Sequence, residues 1–155
     1  MDINRHTFGV PHNSYRFRDT WVIGAPVPVV FDAVVDLENY PRWWPDVRSV
    51  RQIDEDTAEL VCRASLPYGL TIRMRRAEQN ESTGRLRVHL DGDLEGLLAA
   101  SILRHPAGST LEIVQQVVVR KPLLRRLSPV ARPLFRLNHA LMMRRGLTGL
   151  RARLA

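Results

Sequence analysis

One cysteine, one lysine and no long apolar run are what first distinguish this chain of 155 residues. Cys62 stands alone, which excludes an internal disulfide framework and fits a reducing cytoplasm. No stretch approaches the ~18–20 continuous apolar residues of a membrane-spanning helix. The N-terminus carries Arg5 and His6 but no apolar core of a signal peptide, so a cytoplasmic protein is expected. His6, His12, His89, His105 and His139 make no ligand spacing with one another or with Cys62, so neither metal nor other cofactor is expected. Glycine-rich phosphate loops are missing too. Gly146-x-x-Gly149 lies late in a helical segment, where small residues permit close packing.

The scarcity of lysine colours the charge. Lys121 is the only one among 23 basic residues, leaving 22 arginines to carry a net charge of +7. Such a bias suits a GC-rich coding sequence better than selection for phosphate contacts. The arginines are also scattered, without the single stripe interleaved with aromatics that a nucleic-acid surface needs, and no nucleic-acid partner is expected. The hydrophobic fraction of 45% is that of an ordinary globular chain, and the length suits one domain. Residues 1–13, polar and unperiodic, are expected to form a loose lead-in to a single domain over 14–155.

From Tyr15 onward the chain is mostly strand-like. Strands are predicted at 15–23, 47–53, 57–66, 70–78, 85–91, 94–104 and 110–120, separated by turn signals such as Asp54-Glu55-Asp56 and Pro67-Tyr68-Gly69. Ala58, Leu60, Cys62, Ala64 and Leu66 share one face of the third, opposite Glu59 and Arg63. Leu70, Ile72 and Met74 oppose Thr71, Arg73 and Arg75 in the next. Leu86, Val88 and Leu90 oppose Arg87 and His89. The segment from Leu94 reads apolar on both faces, as a strand covered on both sides, with Gly96 as a bulge. Consecutive, short-looped, alternating strands imply an antiparallel sheet with one solvated face. Residues 129–154 supply the cover as a helix of ~25 residues, ~37 Å long. At ~100° per residue, Ala131, Leu134, Phe135, Asn138, Leu141, Met142, Arg145 and Gly149 are predicted on its inward stripe. His139 is expected at the stripe's edge and partly exposed, with Met143 and Leu147 mainly opposite.

Residues 21–50, WVIGAPVPVVFDAVVDLENYPRWWPDVRSV, carry the most specific pattern. A strand end runs into Gly24-Ala25-Pro26 and a short helix with Val29, Val30, Phe31, Val34 and Val35. Tyr40-Pro41-Arg42-Trp43-Trp44-Pro45 follows, with aromatics bracketed by prolines. Strand, two short helices, a run of strands and a long final helix is the order of the helix-grip fold. The chain resembles the START-like (SRPBCC) superfamily, in its polyketide cyclase/dehydrase and lipid-binding branch. The resemblance implies an α+β fold, with a curved antiparallel sheet of six or seven strands around the C-terminal helix, and a cavity for an apolar small molecule. It also implies that Tyr40, Trp43 and Trp44 form one wall of the cavity mouth. Two adjacent tryptophans on one helix are expected to diverge, one to the core and one to ligand or surface.

The candidate ligand-binding residues combine this resemblance with the inward parities. Leu60, Cys62, Met74 and Val88 would line the sheet side, Phe135 and Met142 the helix side. Asn138 and Arg145, two helical turns apart on the inward stripe, must find partners or face water, because burying either unpaired is costly. They would bind polar ligand groups, or else pin the helix to a strand carbonyl and a rim carboxylate. Arg76 continues the inward parity of Met74. The segment MRRAEQ is similar to the strand on which polyketide aromatase/cyclases carry an inward arginine, which makes Arg76 the weak catalytic candidate for stabilising an enolate. The opposing expectation is a strand end or bulge that sends it to solvent. Cys62, with no nearby histidine in sequence, is expected to be a small core residue.

An almost wholly apolar inward wall suits a lipid-like, polyprenyl or flat polycyclic ligand better than a poly-ketone that must be folded and deprotonated. Ligand binding is therefore the expected function. A cyclase or aromatase using Arg76, Asn138 and Tyr40 is the alternative, and an interaction module with a collapsed cavity is the third reading. The basic stretch 120–126, with the helix after it, could touch an anionic membrane transiently. The expected assembly is a monomer or homodimer.

Overall fold

Residues 14–63, 69–121 and 131–155 are described by the structure, a computed structural model. The sheet has seven antiparallel strands: β1 (Ser14–Ile23), β2 (Val47–Gln52), β3 (Thr57–Arg63), β4 (Gly69–Asn80), β5 (Arg85–Gly92), β6 (Leu94–His105) and β7 (Gly108–Val119). Their order across the sheet is β1-β7-β6-β5-β4-β3-β2. Sequence neighbours therefore pair throughout, except that β1 closes against β7, with Tyr15 opposite Val117 and Trp21 opposite Leu111. Period-two alternation dictates this arrangement: Leu111, Ile113, Val117 and Val119 of β7 are all buried on one face. The expected lead-in over 1–13, the β3–β4 turn including Ala64 and Leu66, and residues 122–130 lie outside the described residues.

Because β1 and β2 are opposite edges, the chain between them must cross the whole sheet. It does so as α1 (Val27–Val35), a single 3₁₀ turn (Leu37–Asn39) and the one-turn helix α2 (Tyr40–Trp43). Pro28 and Pro41 sit in first turns, where no backbone N–H is required. Val30 and Phe31 anchor α1 in the core. The Tyr40 hydroxyl donates to the Val34 carbonyl and ties α2 back to α1. The final helix, α3 (Ala131–Arg153), then runs along β1. Phe135 packs on Tyr15 with ring centroids 4.5 Å apart, His139 stacks on Phe17 at 3.6 Å, and Arg151 donates to the Val22 carbonyl at 3.0 Å.

Three local expectations change. Gly96 is no bulge: pairing runs unbroken through Gly96–Val117, and a Cβ there would lie 2.0 Å from the Gln116 carbonyl oxygen. Its φ of +152° serves a close backbone approach, while register shifts fall at Val47/Ser49 and Arg76/Glu78. The outer face of β6 is covered only in part: Leu97 and Ala99 are half-buried, whereas Leu103 is exposed. The inward stripe of α3 is also rotated, by less than the ~100° between successive residues. Ala131, Phe135, Asn138, His139, Met143, Gly146 and Leu150 are buried, whereas Leu134 is exposed.

The rotation is set where α3 meets α2. A Cβ on Gly149 would stand 1.6 Å from the Trp43 carbonyl oxygen, and one on Gly146 2.6 Å from the Trp44 indole. Only glycines let the helix come this close. Alanine ordinarily stabilises a helix interior by about 1 kcal/mol over glycine. Gly149→Ala is expected to do the reverse, destabilising the protein by several kcal/mol in urea unfolding. Gly146→Ala, which meets a side chain able to shift, should lose about 1–3 kcal/mol. A Gly149→Ala protein as stable as the parent would show that the helix is not held by this contact.

Candidate functional site

Since α3 lies along β1 and against α2, the concave face of the remaining strands is left uncovered. Medium-sized aliphatic side chains from that face cannot reach the helix, and a cavity of about 510 Å³ results. Leu60 and Cys62 of β3, Met74 of β4 and Val88 of β5 line its sheet side. Phe135, Asn138, His139, Met142 and Met143 line the helix side. Tyr40, Trp43 and Trp44 close one wall, with Trp21 of β1 edge-on to Trp44 at 5.8 Å. Ala100, near the middle of β6, forms part of the floor.

The two adjacent tryptophans do not diverge. Helix α2 ends at Trp43, and Trp44 is extended (φ −116°, ψ 97°), so helical geometry no longer separates them. Their rings stack at 5.5 Å and both face the cavity. Trp43 is buried. Trp44 is half-buried and donates from its indole N–H to the Met142 carbonyl at 2.9 Å.

Arg145 is placed elsewhere. Its Nε and Nη2 grip the carboxylate of Asp46, at 3.0 and 2.7 Å, beside the entrance to β2. Asp46 is only 2% exposed. Removing the guanidinium would strand a buried carboxylate, a loss of roughly 3–5 kcal/mol. Arg145 is thus a clamp between the segment after Trp44 and the final helix, and the sequence held no sign of a partner 99 residues away.

Arg76 stands at the cavity's rim, 45% exposed, where the β4–β5 register shifts. Its Nη2 donates to the Glu55 carbonyl at 2.8 Å, and its Nε lies 3.6 Å from the Asp56 carboxylate. The same rim carries Asp36, Glu38, Glu55, Asp56 and Glu78. Among the described lining residues Arg76 is the only formal cation, so a strongly basic protein presents an acidic doorway.

Inside, three neutral polar side chains sit together on an otherwise apolar wall. Asn138 is 8% exposed, and its Oδ1 is buried with no hydrogen-bond partner among the described residues. His139, expected at the stripe's edge and partly exposed, is equally buried, because the helix is turned towards it. Its Nε2 lies 2.6 Å from Oε1 of Gln115, which β7 directs inward between Ile113 and Val117. Burial lowers the His139 pKa to about 4, so the ring is neutral at pH 7 and donates from Nε2. Burial pushes the Cys62 thiol up to about 12, with the Asp46 charge adding to it, and raises Tyr40 well above the ordinary phenol range. None of these groups is poised to exchange a proton near neutrality. Gln115 escaped the sequence reading, although a polar residue on the inward parity of Leu111, Ile113 and Val117 is a legible signal. Among the described residues no group of His, Cys, Asp and Glu is arranged to hold a metal ion.

A histidine buried in its neutral form makes stability depend on pH. Between pH 4 and 6.5 the unfolded chain binds the proton and the folded one does not, so stability is fullest above pH 6.5 and falls as pH drops towards 4. The loss should approach about 3 kcal/mol. Against His139→Phe, which keeps the stack on Phe17 and cannot titrate, urea unfolding from pH 7 to 4 should show this loss in the parent alone. Parallel pH profiles would mean that His139 is not held neutral.

No curated protein matches the chain in sequence. Among solved structures it is similar to the Zhui aromatase/cyclase from a Streptomyces species (TM-score 0.77, 13% identity, covering 91% of this chain and 93% of that one). It is also similar to a protein from Thermus thermophilus (0.75, 18%, 91% and 96%) and to a START superfamily protein from Mycobacterium smegmatis (0.69, 16%, 91% and 96%). At these identities the likeness establishes the helix-grip fold, whose open seven-stranded sheet and long final helix the strand order and α3 had already displayed. The model of one family matches residues 23–121, more than half of the chain and including the Gly24-to-Pro45 segment and strands β2 to β7. The chain belongs to the polyketide cyclase/dehydrase and lipid transport family.

Proposed function

We propose that the protein binds a small hydrophobic molecule in the cavity between sheet and final helix, and carries or sequesters it without transforming it. The observation that carries this reading is the cavity wall: about 510 Å³ bounded mainly by aliphatic and aromatic side chains, within the range of small-molecule sites. Tyr40, Trp43, Trp44, Leu60, Met74, Val88, Phe135, Asn138 and Met142 supply the ligand's surroundings. Cys62 contributes only bulk. A cavity this size also disfavours the reading of a collapsed interaction module. The whole of 14–155 would act as one domain, and a lone, buried Cys62 suits a reducing cytoplasm.

The second reading is a cyclase or aromatase. It is favoured by the family and by the fold shared with the Zhui aromatase/cyclase, and by Arg76 reaching the cavity's rim. Against it stands the chemistry of the interior. Proton abstraction from a poly-ketone calls for a base with a pKa near the working pH. His139 is far too weak a base, Tyr40 and Cys62 far too weak as acids, and the guanidinium of Arg76 is already engaged by Glu55 and Asp56.

The chain's three tryptophans all line the cavity, so its own fluorescence reports occupancy. The uncharged probe N-phenyl-1-naphthylamine should bind one per protein, quench the tryptophans by energy transfer and shift its own emission to the blue. Ala100→Phe, which puts a ring into the void, should weaken binding by about tenfold or more with little change in melting temperature. Arg76→Ala should leave probe affinity within about twofold. Probe binding that ignores Ala100→Phe would overturn the cavity as the site. Turnover of a poly-ketone that is abolished by Arg76→Ala would decide for the enzyme.

A further inference from the structure

We infer that the ligand is uncharged, that its buried end carries a neutral hydrogen-bond donor such as a hydroxyl received by Oδ1 of Asn138, and that anionic amphiphiles are rejected. This rests on the cavity being the ligand site, and adds the chemical class of what enters it. Two independent features lead to it, one deep in the cavity and one at its rim.

The deep feature is the unpartnered amide. Asn138 is more than nine-tenths buried on the cavity wall, with an Oδ1 that meets no donor among the described residues. Burying a polar atom unpaired is unfavourable, and a ligand donor bonding there would relieve it. Its described neighbours leave it unbonded, and the Nε2 of His139 is paired with Oε1 of Gln115. They do define what can sit beside it. Gln115, Asn138 and His139 are all neutral, and none carries a charge that could hold a carboxylate in a desolvated space. An amide oxygen accepts, so a hydroxyl fits it, whereas an ion would arrive without a counter-charge.

The rim feature acts earlier. Among the described residues the rim carries five carboxylates, Asp36, Glu38, Glu55, Asp56 and Glu78, against one guanidinium, that of Arg76. That guanidinium lies 3.6 Å from the Asp56 carboxylate and donates to the Glu55 carbonyl, so part of its charge is already offset at the rim. Like charge at the doorway slows and weakens the entry of a carboxylate amphiphile, and low ionic strength accentuates the effect. The amide sets what is held, and the rim sets what is excluded.

Three probes of one shape separate these terms: naphthalene, 2-naphthol and 2-naphthoate, each measured by equilibrium dialysis against the full chain at pH 7. Naphthalene should bind, 2-naphthol about tenfold more tightly, and 2-naphthoate more weakly than naphthalene, by a margin that narrows as salt is added. In Asn138→Leu the preference for 2-naphthol over naphthalene should shrink to within about twofold while naphthalene binding is kept. Equal affinity of the unmodified protein for naphthalene and 2-naphthol overturns the inference and leaves the hydrophobic cavity standing. So does 2-naphthoate as the tightest of the three. Failure of all three to bind overturns the cavity reading and this inference with it. The ligand series on the unmodified protein decides the matter even where Asn138→Leu does not fold.

Discussion

Everything distinctive about the interior depends on one contact, the seat of Trp43 and Trp44 against Gly146 and Gly149. A long helix laid across a sheet has two freedoms that decide its function: how close it comes and which face it turns inward. The glycines settle both at once. They admit the Trp43 carbonyl and the Trp44 indole at distances that a Cβ would forbid, and the indole N–H then bonds the Met142 carbonyl. With the C-terminal half of α3 held there, and its N-terminal half held by the Phe135 and His139 rings on Tyr15 and Phe17, the helix cannot roll. Asn138 and His139 face inward as a consequence, and Leu134 faces out.

The Asp46–Arg145 pair belongs to the same joint. A buried carboxylate gains little net stability from its partner, because desolvation offsets most of the attraction. What it provides is definition. The bidentate geometry accepts one placement of the segment after Trp44 relative to the helix, while the apolar contacts around it would tolerate several. The aromatic wall of the cavity is thereby fixed from two directions. Glycines set the distance, and the ion pair sets the register.

The sheet was legible in the sequence for a physical reason. Each strand has one wet and one dry face, so β3, β4, β5 and β7 write their burial as alternation that needs no knowledge of the partner strand. The order of elements, with the aromatic and proline-rich segment after α1, carried the fold. The helix was harder. Apolar residues surround it on almost every side, including Leu134 and Leu137, both exposed, so hydrophobicity defines no single face. The informative residues were Gly146 and Gly149, which mark the side of closest approach and are invisible to any count of apolar positions. For Arg145 the two readings, ligand contact or pairing with a carboxylate, stayed open in the sequence, because its partner is 99 residues away and no local pattern reaches that far. Trp44 was misread because the helix that would have turned it away ends one residue earlier. Arg76 showed both tendencies foreseen for it, on the inward parity yet carried to the rim by a shift in register.

A void of this size is itself an argument about function. A space of about 510 Å³ forgoes the packing contacts that a filled core would make there. A chain under selection for stability alone would close the gap with larger side chains at Ala100 or Val88, and would replace Asn138 by an aliphatic residue. Instead the wall keeps its aliphatics at medium size and keeps a buried amide oxygen with no partner among the described residues. Both choices are unfavourable for the isolated fold, and both are relieved by an occupant that fills the volume and bonds the amide. Such an occupant stabilises the folded state by mass action in proportion to the logarithm of its concentration. The interior is therefore the half of a packed core that the protein leaves for another molecule to complete.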